Sequence, residues 1–143
     1  MGRKILGVVF VLYLVALALI GFWPVPVDTG ERTTLQLIID HLKGDGLAFA
    51  SYGLIEFVAN VVLFIPLGLL VAALMRRGQR WVSFAITVAA SLTIELGQFL
   101  FLPERDPSAL DVIANSIGGA IGVAIIAFLS WAFGGRRRHA VRD

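Results

Sequence analysis

The chain has 143 residues, of which 58% are hydrophobic and only 15% charged, and its mean hydropathy is +0.87. Soluble domains carry roughly 25% charged residues, so this apolar surplus cannot all be buried in a water-soluble core of this length. The absence of cysteine excludes disulfides, thiolate metal sites and cysteine nucleophiles.

The apolar residues fall into four runs, 5–23, 54–75, 81–102 and 110–133. Each matches the ~20 residues a helix needs to cross a ~30 Å hydrocarbon core. None alternates apolar with polar as a barrel strand would. The expected fold is therefore all-α, a four-transmembrane-helix bundle. The first run follows Arg3 and Lys4 and could be read as a signal peptide, with Ala16-Leu17-Ala18 as its cleavage site. That tripeptide lies inside the apolar run, which favours a retained helix.

Between the first two runs, Pro24-Val25-Pro26 ends the helix, and Leu35, Ile38, Ile39 and Leu42 form one apolar stripe closed by Gly44-Asp45-Gly46. This predicts a short amphipathic helix in the first outer loop. It lies on the membrane surface or packs as a lid over the bundle, and the stripe suits both. Nine of the 12 Lys and Arg lie in the segments that face the cytoplasm if both termini are cytoplasmic: Arg3, Lys4, Arg76, Arg77, Arg80, Arg136, Arg137, Arg138 and Arg142. Basic residues concentrate on the inner side of membrane proteins, so that orientation is expected, in the cytoplasmic membrane. The net charge of +2 then reports topology, and no nucleic-acid partner is expected.

Polar residues inside the apolar runs carry the functional signal, because ionisable groups in membrane helices usually face the bundle interior. Glu56 and Asn60 in the second run, Glu95 and Gln98 in the third, and Asp111 and Asn115 in the fourth each share one helical face. All six fall within roughly 10 Å of the outer boundary at ~1.5 Å per residue, which points to one outward-facing polar pocket, with Arg105 in the loop above it. Interhelical hydrogen bonding is the competing explanation. Gly118 and Gly122 continue the Asp111–Asn115 face inward as a small-xxx-small pair for close helix packing, and Thr87 and Ser91 continue the Glu95 face. Pro66 is expected to bend the second helix and, with Gly68, to widen the outer mouth. The spacing demands no metal, and no cofactor is expected.

These residues resemble the signature of the VanZ-like family of small bacterial membrane proteins. The resemblance lies in the run Asn60 to Gly68 with Phe64 and Pro66, in Ser91 with Glu95 and Gln98, and in Arg105, Asp111, Asn115, Gly118 and Gly122. It covers about residues 54–125. One departure is that many members carry further acids between the arginine and the Asp that opens the last helix, where this chain has Ser108. The family is named for a protein that lowers susceptibility to teicoplanin, so the resemblance implies a cell-envelope role at the outer face of the membrane.

Three functions fit the sequence. The first is binding or remodelling of an envelope lipid, cell-wall precursor or glycopeptide, with Glu56, Asn60, Gln98, Arg105 and Asn115 as ligand-binding residues. The second is an intramembrane enzyme with Glu95 and Asp111 as a catalytic acid/base pair. The third is a structural or partner-binding subunit. Membrane lipids are expected partners, and a homo-oligomer is left open.

Overall fold

In a computed structural model, residues 2–22, 39–41, 43, 51–102 and 108–134 are described. They form four long helices: α1 (Gly2–Gly21), α2 (Tyr52–Leu74), α3 (Arg80–Phe101) and α4 (Ala109–Gly134). A 3-10 turn, Arg77–Gln79, joins α2 to α3. All four helices are long and apolar enough to cross a membrane. Each boundary lies within a few residues of the expected run. Arg105, the Arg136–Arg138 cluster and most of the predicted loop helix lie outside the described residues. Of that loop, residues 39–41 and 43 are helical; Ile39 is buried while Asp40, His41 and Lys43 are exposed. The buried Ile39 agrees with the predicted apolar stripe.

The helices run up and down, and arginines tie their ends together. Arg3 Nη2 donates to the Leu74 carbonyl at 3.2 Å, and Arg77 Nη2 donates to the Ser130 carbonyl at 2.9 Å. Arg80 donates to the Ser130 hydroxyl. Arg3 and Arg77 thus sit near the C-terminal ends of α2 and α4, where the helix dipole favours a cation. The starts of α1 and α3 and the ends of α2 and α4 therefore share one basic end. The opposite end carries the finish of α1 and α3 and the start of α2 and α4.

The bundle centres on α2 and α4, which make the most extensive helix contact. Lipid tails are as apolar as leucine, so packing, rather than exclusion from water, holds such helices together. Glycine makes the close approach feasible. A methyl group at Gly118 would overlap the Val61 carbonyl, and one at Gly122 would overlap the Ile65 carbonyl. Gly68 meets the Gly119 carbonyl in the same way, and a methyl at Gly119 would lie 2.8 Å from Thr87 Cβ of α3. The predicted Gly118–Gly122 face is thus the α4 side of this contact. Gly68 does not widen a mouth, as the sequence suggested; lacking a side chain, it brings two backbones together deeper in the bundle. The helix continues through Pro66 to Leu74.

Leu17 of α1 joins Phe64, Leu67 and Val71 of α2 in a buried apolar cluster. Tyr13 donates its hydroxyl to the Leu63 carbonyl, fastening α1 to α2. Otherwise α1 is mostly exposed, with Ile5, Val8, Leu12, Val15 and Leu19 pointing away from the bundle.

Because the α2–α4 spacing leaves no room for a side chain, Gly122→Leu is expected to destabilise the fold by at least the ~1–3 kcal/mol typical of overpacking. Thermal unfolding in detergent checks this. Ala120→Leu, at an exposed position of the same helix, should unfold close to the wild type.

Candidate functional site

A cavity of about 90 Å³ lies at the end of the bundle opposite the arginines. Glu56 and Asn60 of α2, Glu95 and Gln98 of α3, and Asp111 and Asn115 of α4 all line it. The six acids and amides singled out from sequence thus converge on one space. Leu17, Ile20 and Gly21 of α1, Leu63 and Phe64 of α2, and Ile94 of α3 supply the apolar remainder. Arg105 lies outside the described residues.

Local rules explain the placement. Ser51 caps α2, its side chain accepting from Leu54 N at 3.3 Å, and this starts the helix one turn before Glu56. On α3, Ser83, Thr87, Ser91, Glu95 and Gln98 are all buried, at spacings of four or three residues, so they form one polar stripe. Its small members let α4 approach, and its long members reach the cavity. Thr87 satisfies its own hydroxyl by donating to the Ser83 carbonyl at 2.7 Å, so the stripe is occluded there by Gly119.

The start of α4 is organised by Ser108. Its Oγ accepts from Asp111 N at 3.3 Å, the bond of a helix N-cap. Its own N–H donates to Glu95 Oε2 at 3.1 Å. The Glu95 carboxylate, only 9% exposed, therefore sits against the N-terminus of α4, where the dipole favours an anion. Ser108, where the family resemblance leads one to expect an acid, thus links the Glu95 carboxylate to the first turn of α4, which carries Asp111. The signal was legible, since Ser108-Ala109-Leu110-Asp111 places a capping side chain three residues before an acid.

Gln98 Nε2 donates to the Gly21 carbonyl at 2.8 Å, fixing the end of α1 to α3. Asn115 Nδ2 donates to Ser91 Oγ at 2.9 Å. The Asn115 Oδ1 atom is buried with no hydrogen-bond partner among the described residues, in a side chain only 4% exposed. A buried polar atom left unsatisfied costs ~1–3 kcal/mol, so this oxygen calls for a donor. A water needs roughly 10–15 Å³ of free space, so the cavity has room for several waters or one small polar headgroup. Among the described residues, no three His, Asp or Glu lie where they could hold a metal ion.

These features define a small multi-pass membrane protein with a polar cavity at one end of its bundle. The VanZ/LLP1 family model matches residues 10–130, and the chain belongs to that family. It is similar to Protein VanZ of Enterococcus faecium, with 36% identity over 70 residues, or 49% of this chain and 43% of that protein. The match thus spans less than half the length of that relative. No solved structure matches the chain.

Loss of the α4 cap in Ser108→Ala should cost about 0.5–2 kcal/mol of stability, read as a lower unfolding midpoint in detergent. Ser108→Asn, which retains a capping oxygen, should stay near wild type. Equal midpoints for all three proteins would remove Ser108 from the role of cap.

Proposed function

We propose that the cavity binds the polar head of an envelope lipid or lipid-linked cell-wall precursor, at the outer face of the cytoplasmic membrane. The observation that carries this reading is the convergence of six polar side chains from three helices on one space, with a buried amide oxygen lacking a donor. Packing alone would pair that oxygen; a ligand hydroxyl or amide would supply the donor. The volume suits a headgroup and not an entire glycopeptide, so a large ligand would insert only one group.

The arginines support an outward orientation. Arg3, Arg77 and Arg80 lie at the end opposite the cavity, and the positive-inside rule favours a cytoplasmic position for that end. The similarity to Protein VanZ and the family's link to teicoplanin susceptibility support a role in the envelope. In this reading, occupying or remodelling an envelope lipid changes how a glycopeptide antibiotic meets its target. Binding is favoured over acid/base catalysis because Glu95 already accepts a hydrogen bond from the Ser108 N–H and faces a helix terminus.

Native mass spectrometry of the purified protein tests the reading. Wild type should carry an envelope lipid. Asn60→Ala should lower its occupancy about tenfold, the equivalent of ~1.4 kcal/mol and a typical worth for one hydrogen bond. Its unfolding midpoint should be unchanged. A wild type free of lipid, or a variant equally loaded, would overturn the proposal.

A further inference from the structure

The cavity walls differ in character. On three sides they carry the acids and amides of α2, α3 and α4. On the fourth side the wall is α1, which contributes only Leu17, Ile20 and Gly21. Ile20 lines the cavity and is nevertheless 53% exposed on the outside of the bundle. The cavity thus reaches the outside of the bundle beside Ile20 of α1, as it does at the exposed Glu56 of α2.

The contact that closes this wall is local. Helix α1 packs chiefly on α2 and only sparsely on α3. Among the described residues, its last turn meets α3 near the cavity at Gly21 and Phe22. Gln98 donates to the Gly21 carbonyl at 2.8 Å. Gly21 packs beside Ile94, whose Cγ2 would lie 3.3 Å from a methyl group there. The Phe22 ring lies over Gly97, where an added methyl would come within 2.5 Å of its Cζ. Gly97 thus leaves a seat for a ring that is itself partly exposed. Parting these contacts breaks the Gln98–Gly21 hydrogen bond and lifts the Phe22 ring from its seat. Parting α2 from α4 would undo the tightest packing in the bundle.

We infer that the cavity takes its ligand sideways from the membrane, between the last turn of α1 and α3, and that the ligand is a membrane-borne amphiphile. Its small polar head occupies the cavity while its hydrocarbon chain runs out past Ile20 into the lipid. The lining matches such a molecule: the polar groups come from α2, α3 and α4, and the α1 wall along which the chain would lie is wholly apolar. This inference rests on the reading of the cavity as a binding site and adds the class of ligand and its path.

The chain has no cysteine of its own, which allows a direct test. Gly21→Cys with Ile94→Cys places two thiols across the seam, within reach of the ~3.5–4.5 Å Cβ separation of a disulfide. The full chain is reconstituted in nanodiscs of phosphatidylethanolamine and phosphatidylglycerol. Isotope-labelled phosphatidylethanolamine is then added, and its exchange onto the protein is followed by native mass spectrometry. Exchange should slow at least about tenfold on oxidation and recover on reduction, as expected when release is the step being controlled. Phe22→Ala, which removes the ring from its seat without altering a cavity-lining residue, should speed exchange. Equal exchange in the oxidised and reduced protein, or no faster exchange in Phe22→Ala, would overturn lateral entry while leaving binding intact. Absence of bound lipid from the wild type would overturn the binding reading and this inference with it.

Discussion

The spacing between α2 and α4 is the constraint on which the rest of the structure depends. Gly68, Gly118, Gly119 and Gly122 bring two backbones to a separation that admits no side chain. In hydrocarbon there is no solvent to drive helices together, so such contact must come from close packing. Once α2 and α4 are fixed, the faces above the glycines have their directions fixed too. Asn115 lies three residues before Gly118 on the same stripe, and Asn60 lies one residue before Val61, the residue Gly118 touches. The glycine contact thus acts as the floor of the cavity, and the polar residues stand where the two helices can no longer meet as closely. Helix α3 is then drawn in by Thr87 on Gly119 and by the Ser91–Asn115 hydrogen bond, which sets Glu95 and Gln98 at the same level.

Charge is divided between the two ends of the bundle by the same helix directions. At one end, α2 and α4 finish, and arginines from α1 and from the segment joining α2 to α3 bond to their last-turn groups. At the other, α4 begins, and its first turn takes a carboxylate from α3 through the Ser108 N–H. Both arrangements follow from the orphan donors and acceptors at helix ends and from the dipole that accompanies them.

Much of this was legible in the sequence. Helix spans follow from apolar run length alone. The six cavity residues were found because a polar side chain in a membrane helix stands out against its surroundings, and because helical direction converts position into depth. Local sequence could not reveal what depends on distant partners. Gln98 was identified as polar and inward, but its bond to the Gly21 carbonyl joins helices 77 residues apart. Gly97 carried no signal, since its meaning lies in the Phe22 ring above it. Gly68 was assigned to the mouth because it neighbours Pro66, whereas its role is set by Gly119 across the interface. Ser108 stood out as a departure from the family's expected acids, although the spacing Ser108-Ala109-Leu110-Asp111 also suits a helix cap, the role that the structure gives it. Helix α1 was the least informative segment. It is apolar all round, so periodicity could not separate the face that touches the cavity from the face that touches lipid.

That ambiguity of α1 is also physical. A helix with no polar face can slide or tilt in hydrocarbon at small cost, because either face is equally well solvated by lipid or by protein. Among the described residues, three directional contacts help hold α1 in register: Arg3 on the Leu74 carbonyl, Tyr13 on the Leu63 carbonyl and Gln98 on the Gly21 carbonyl. Two of these partner α2 and one partners α3, and the one to α3 is at the cavity. The α2 contacts are spread along the helix, and the Leu17 cluster lies between them and the cavity. A displacement that keeps the α2 contacts but yields at Gly21 therefore leaves the close α2–α4 packing intact. It swings the last turn of α1 away from α3 and exposes the polar groups to the bilayer interior. An empty polar cavity opened to hydrocarbon would be costly. Under the proposed lateral entry, a polar head that meets those groups offsets this cost, and the α1 wall selects what enters the cavity.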